Sequence, residues 1–372
     1  MLRRPFHVAV SSMKTLKASV LYARTAHATA PVSTRIPVGP LPGDVAFSPD
    51  SSTAYVPNSI TKDVSVVDVA TGLVIDSIGL GESPQTIAIS ATGTLAYVTL
   101  PSQGGVAVID LPTGTLLGTI AVGSFPHSVA FSPTGTLAYV TNSSDNTVSI
   151  IEVDAGRALP DTIAVGAEPR DVIFSRQGDV ACVANFRAGT VSIIDVRVGT
   201  IRSTISLSGG FPSGIAFTPD GARAYVSHGG GKVSVINMAD STVETVVAVG
   251  SGPCGMAVSP DGSTVYVTNQ NDDSVSVIDV STNSVGDTIA VGNRPVAVEF
   301  TPDGTRAHVV DYGGSTISVV RLDPALHSAL VPPDRQAPLM GLRSLLVAAI
   351  AVPLVVIGPA VAAAGPTLAA SP

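Results

Sequence analysis

Short apolar, β-branched runs alternate with turn residues along this chain at one nearly constant interval. Between Pro126 and Gly166 four such runs cover residues 128–132, 137–141, 147–153 and 161–165. Pro133-Thr134-Gly135, the polar stretch 142–146 and Asp154-Ala155-Gly156 separate them. Runs of this length, punctuated by Gly, Pro, Asn and Asp, predict four antiparallel strands of a meander.

The same unit occurs seven times. Its first proline falls at Pro42, Pro84, Pro126, Pro169, Pro212, Pro253 and Pro295, in steps of 42, 42, 43, 43, 41 and 42 residues. A fixed period of that length with four strands predicts an all-β fold, a seven-bladed propeller of four-stranded antiparallel blades. One sheet that is apolar on both faces is not stable alone; packed against neighbours around an axis it buries both. This accounts for runs such as 275–280, which are nearly continuously apolar. The seventh unit has only three runs, at 296–301, 306–310 and 316–322. The missing T-I-A-V-G element has a counterpart at the start of the chain, T-R-I-P-V-G at 34–39. An N-terminal strand is therefore predicted to complete the last blade, leaving no open seam.

Tyr139-Val140-Thr141-Asn142 and Tyr266-Val267-Thr268-Asn269 carry the motif of the YVTN family of β-propeller repeat proteins. The S-P-D-G turn and the I-D-V segment resemble that family too, and the likeness spans residues 32–323. It implies the propeller fold and a surface or envelope protein. It assigns no activity, because one fold hosts many.

Charge narrows the partners. Residues 31–323 hold 27 acidic against 13 basic side chains, a formal net of −14, with no basic stripe. Nucleic acid is not expected as a partner, since phosphate binding needs clustered Lys and Arg. Residues 1–31 form a basic leader, disordered or a poor export signal, with Arg3, Arg4, Lys14, Lys17 and Arg24. Residues 324–344 read as a linker. Residues 345–372 are an uncharged hydrophobic tail, a candidate transmembrane helix; 345–365 is long enough to cross a bilayer core of ~30 Å. The expectation is a tethered, monomeric propeller outside the cytoplasm. Cys182 and Cys254 stand in non-adjacent blades, so no disulfide is expected.

Most recurrent residues read as structural. Ala46, Ala88, Ala130, Ala216 and Ala257 lie in the first strand, where sheets converge and space is short. Asp68, Asp110, Asp195 and Asp279 precede the last strand and cap its turn. Asn58, Asn142, Asn185 and Asn269 recur and suit a turn. His308 replaces the blade Tyr and is expected to pack. Departures from the repeat concentrate just after the opening proline and between the second and third strands. Both sets of loops share one face of a propeller, here called the top. Asp44, His127, Arg170, Asp171, His228 and Cys254 are the candidate ligand-binding residues ringing the channel mouth. Two histidines without a third ligand do not make a zinc site, and no catalytic residue, metal or cofactor is assigned. The resulting reading is a non-enzymatic envelope scaffold whose top loops meet a protein or glycan. The alternative is a lactonase-like, lyase-like or haem- or metal-dependent propeller enzyme with its site at the same mouth.

Overall fold

A computed structural model of the protein describes residues 32–322. The leader, the linker and the hydrophobic tail with its candidate helix lie outside the described residues. Seven four-stranded antiparallel sheets follow one another, each in simple meander order. In the third blade the strands are Pro126–Phe131, Leu137–Asn142, Thr147–Glu152 and Arg157–Ala164, inner to outer. The outer strand thus begins at Arg157 and not at residue 161. The turn at 154–156 is a tight hairpin, and the register shift between Ser149 and Ile151 absorbs the Pro160 region without ending the strand.

Inner strands of consecutive blades pack together and converge on one axis. Side chains then interlock between blades. Tyr97 meets Phe131 of the next blade at 4.6 Å between ring centroids, Tyr139 meets Phe174 at 4.7 Å, and Tyr266 meets Phe300 at 4.8 Å. His308 takes the Tyr position in blade seven and meets Phe47 of blade one at 4.9 Å, so the clasp also spans the closure. Such tilted ring pairs contribute about 0.5–1.5 kcal/mol each beyond their buried area.

The ring closes as the repeat predicts. Val32–Pro37 pairs antiparallel with Thr316–Arg321, from Val32 opposite Val320 to Pro37 opposite Thr316. Ile36, 2% exposed, packs with Val45, Val310 and Ile317. The first and last described strands therefore share one sheet. In the first six blades a register shift bends the outer strand against the third, which twists these edges away from flat pairing.

The recurrent Asn is more than a turn residue. Fully buried Asn142 ends the second strand and donates from Nδ2 to Thr147 and Ser149 on the third, at 3.0 and 2.9 Å. Asn58, Asn185 and Asn269 repeat this geometry. Gly123 lies over Asn142: a Cβ there would stand 2.5 Å from Asn142 Cγ, so the V-G element needs glycine. The aspartates do cap the last turn, as Asp68 shows by accepting the Thr71 N–H at 2.7 Å.

Candidate functional site

The opening proline pairs with the second strand, but the next residues leave the ladder. Register shifts follow Pro126, Pro169, Pro253 and Pro295. A bulge re-aims the side chains it carries, and here it turns the residues after the proline towards the axis. They line a cavity of about 740 Å³ at the top of the channel. Asp44, His127, Arg170, Asp171 and Cys254 all border it.

His228 does not. It is 1% exposed, ends the second strand of blade five and takes the position of the recurrent Asn, with Nε2 2.9 Å from Ser234 Oγ. The sequence pattern places it in the loop, but the strand extends one residue further than the apolar run suggests. It meets neither the cavity nor His127.

Asp44 and Asp171 serve the ring itself. Asp44 accepts the N–H of Ile87 in the next blade at 3.1 Å and that of Val45 at 2.9 Å. Asp171 accepts the N–H of Ile215 in the next blade at 2.8 Å and the Ser128 hydroxyl of the preceding one at 3.0 Å. In blades two, three and five a hydroxyl at the third position of the Y-V-T-N segment makes the crossing. Thr99 donates to the His127 carbonyl at 3.2 Å, Thr141 to that of Arg170 at 3.4 Å, and Ser227 to that of Cys254 at 2.5 Å. Blades one, four and seven have Pro57, Ala184 and Val310 at this position. Blades one and four are the two with aspartate two residues after the opening proline.

His127 Nε2 lies 2.8 Å from Gln85 Nε2. With the amide nitrogen donating, the ring is neutral at that nitrogen. Burial, helped by the nearby Arg170 charge, holds its pKa down to about 4. Arg170 pairs with Glu168 at 2.8 Å, and its guanidinium carbon stands 3.3 Å over the Phe186 ring. Cys254 is a free, partly buried thiol, and Cys182 is free and buried. Burial raises the pKa of both, so neither is an activated nucleophile.

One lining residue escaped the sequence reading. Glu299 occupies the inner-strand position held by alanine in blades one, two, three, five and six and by Ile173 in blade four. Its side chain is exposed to the channel, and it forms no hydrogen bond or ion pair with a described residue. Desolvation, then the charge of Asp44, raises its pKa to about 8. Asp44 is raised to about 7 by burial, with Asp171 contributing, and Asp171 is raised by burial. The departure from alanine is written in the repeat itself, on a strand and not in the loops. Among the described residues no three His, Cys, Asp or Glu side chains are grouped to hold a metal ion.

Apolar side chains also stand on the top face. Phe125 and Phe211, the residues before two of the opening prolines, are 50% and 54% exposed, and Ile60 is 62% exposed. Phe125 and Tyr312 border the cavity.

A solved structure titled Kuenenia stuttgartiensis hydrazine synthase is similar to this chain with a TM-score of 0.72 and 22% identity, covering 76% of this chain and 96% of that one. At that identity the likeness shows the fold alone. No curated protein sequence matches the chain. A family model described as a YNCE-like beta-propeller matches residues 129–316, just over half of the chain. Together with the seven closed sheets, this match places the protein in the YNCE-like beta-propeller family.

Proposed function

We propose that this protein is a non-catalytic binding module that takes its ligand at the axial cavity of the top face. The observation that carries this reading is where the repeat varies. Residues that differ from blade to blade collect around one cavity, while the blade interiors keep one packing scheme. A binding site of this size suits a side chain or small molecule with a few fixed polar contacts. The sequence of the tail and leader supports work in the cell envelope, tethered through residues 345–365.

Site-specific photo-crosslinking in cells tests the reading. A photoreactive residue at Phe125, on the mouth, should trap a ligand or partner. The same residue at Leu117 on an outer strand, or at Asp240 in a turn of the opposite face, should not. Adducts at 117 or 240 without adducts at 125 overturn it.

Glu299 favours one second reading, an enzyme with its site in the same cavity. A carboxyl that keeps its proton to about pH 8 can serve as a general acid at neutral pH. On that reading Glu299→Gln abolishes turnover and leaves ligand affinity intact.

A further inference from the structure

We infer that the channel mouth receives a basic side chain, lysine or arginine, presented by a loop or chain end of a protein partner. This rests on the reading of the axial cavity as a binding site and names what fills it.

Three carboxyls face the same cavity in two layers. Asp44 and Asp171 stand two residues after their opening prolines, and Glu299 stands four after its own. At about 3.3 Å per residue along a strand, Glu299 lies about 7 Å deeper. A lysine or arginine side chain extends over that span and a planar ring or branched acid does not. Among the described residues Glu299 has no hydrogen-bond or ion-pair partner, and no Lys or Arg pairs with any of the three. Arg170, the cation at the mouth, is held by Glu168 and Phe186 instead. The acidic excess of the propeller, 27 against 13, adds a long-range field of the same sign.

The rim points to a macromolecular source for that cation. Phe125, Phe211 and Ile60 expose half or more of their surface on the face where the cavity opens. Apolar rim and acidic floor together match a partner segment that sets a basic side chain between apolar neighbours. A free amine would leave the rim uncovered.

Isothermal titration of the full-length protein with the capped peptide Gly-Leu-Arg-Leu-Gly, its citrulline analogue and ethylguanidinium tests this. Citrulline keeps the shape of arginine and removes the charge. The arginine peptide should bind at least tenfold tighter than the citrulline peptide, and ethylguanidinium far more weakly than either. Glu299→Ala introduces the residue that five blades already carry, so the fold is kept. It should weaken the arginine peptide at least tenfold and leave the citrulline peptide unchanged. Affinity for the arginine peptide should rise between pH 6.5 and 8.5 in the wild type and rise less in Glu299→Ala, where Asp44 still ionises. Equal affinity for the two peptides, no binding of the arginine peptide, or equal binding of ethylguanidinium overturns the inference. If Phe125→Ser weakens the peptide and Glu299→Ala does not, the cavity reading survives and the basic side chain does not. If neither variant changes binding, both fail.

Discussion

The Asp171 carboxylate accepts the backbone N–H of Ile215 across the boundary between blades four and five, at 2.8 Å. Thr141 and Ser227 make the corresponding crossing in their own blades with a hydroxyl and the opposite polarity, donating to a carbonyl. Asp171→Ala leaves the Ile215 N–H and the Ser128 hydroxyl without this partner. A buried group left unpaired costs about 1–3 kcal/mol, so calorimetry should show a drop of several degrees in melting temperature. Asp171→Ser combined with Ala184→Thr copies blade three, which has Ser128 and Thr141. The pair should recover most of the loss, and a double variant no better than Asp171→Ala rejects the crossing as the cause.

Stability should fall as pH rises through neutrality. Glu299 moves from an ordinary 4.5 to about 8 on folding, and Asp44 from 3.8 to about 7. A folded state that holds these protons more tightly has its full advantage below about 4 and loses it progressively as pH rises to about 7 for Asp44 and about 8 for Glu299. Asp50 is opposite in sign. Hydrogen bonds from Ser48 and Ser52 hold it at about 2, so its contribution disappears as pH falls below about 4. From these groups melting temperature should peak near pH 4–5 and decline towards 8. Glu299→Gln should flatten the alkaline limb and match the wild type at pH 5. An unchanged alkaline limb in that variant excludes Glu299 as its origin.

Removing residues 1–31 should leave a folded propeller, whereas removing residues 1–38 takes the strand Val32–Pro37 away and bares the edge Thr316–Arg321. The shorter deletion should melt as a single transition near the wild type. The longer one should aggregate or lose several kilocalories, because Ile36 and its contacts go with it. Equivalent behaviour of the two truncations rejects closure by this strand.

His228→Asn should be tolerated. It restores the side chain that Asn142 uses to reach the third strand, and His228 Nδ1 is buried without a partner. The melting temperature should stay within a few degrees or rise, and any ligand bound at the mouth should keep its affinity. Loss of that affinity places His228 in the site after all.

The tail makes a further expectation about the membrane. A span of Leu, Val and Ile inserts with about −0.3 to −0.6 kcal/mol per residue, and Pro353 and Pro359 oppose it. The full-length protein should stay with membranes after a carbonate wash, and protease added to intact cells should cut within 323–343. Protection of that segment in a membrane-bound protein puts the propeller in the cytoplasm, and a soluble protein removes the tether.

The blade count, the strand order within each blade and closure by an N-terminal strand were legible in the chain itself; the strand runs over Val32–Pro37, two residues earlier than the 34–39 that the repeat suggests. The reason is local: each blade is built from sequential hairpins, so its strands and turns are written contiguously and seven times over. Glu299 was legible too, as an acid in a column of alanines. The boundary of the second strand at His228 was not, because a polar residue ending a buried strand looks like the first residue of a turn. What only the tertiary structure decided lies between blades. Asp171 and Ile215 are more than forty residues apart in the chain, and Asp44 and Glu299 more than two hundred. Seven inner strands converging on one axis bring the first pair within a hydrogen bond and set the second pair into one cavity. No single repeat carries that relation, because it arises from the rotation that relates one blade to the next.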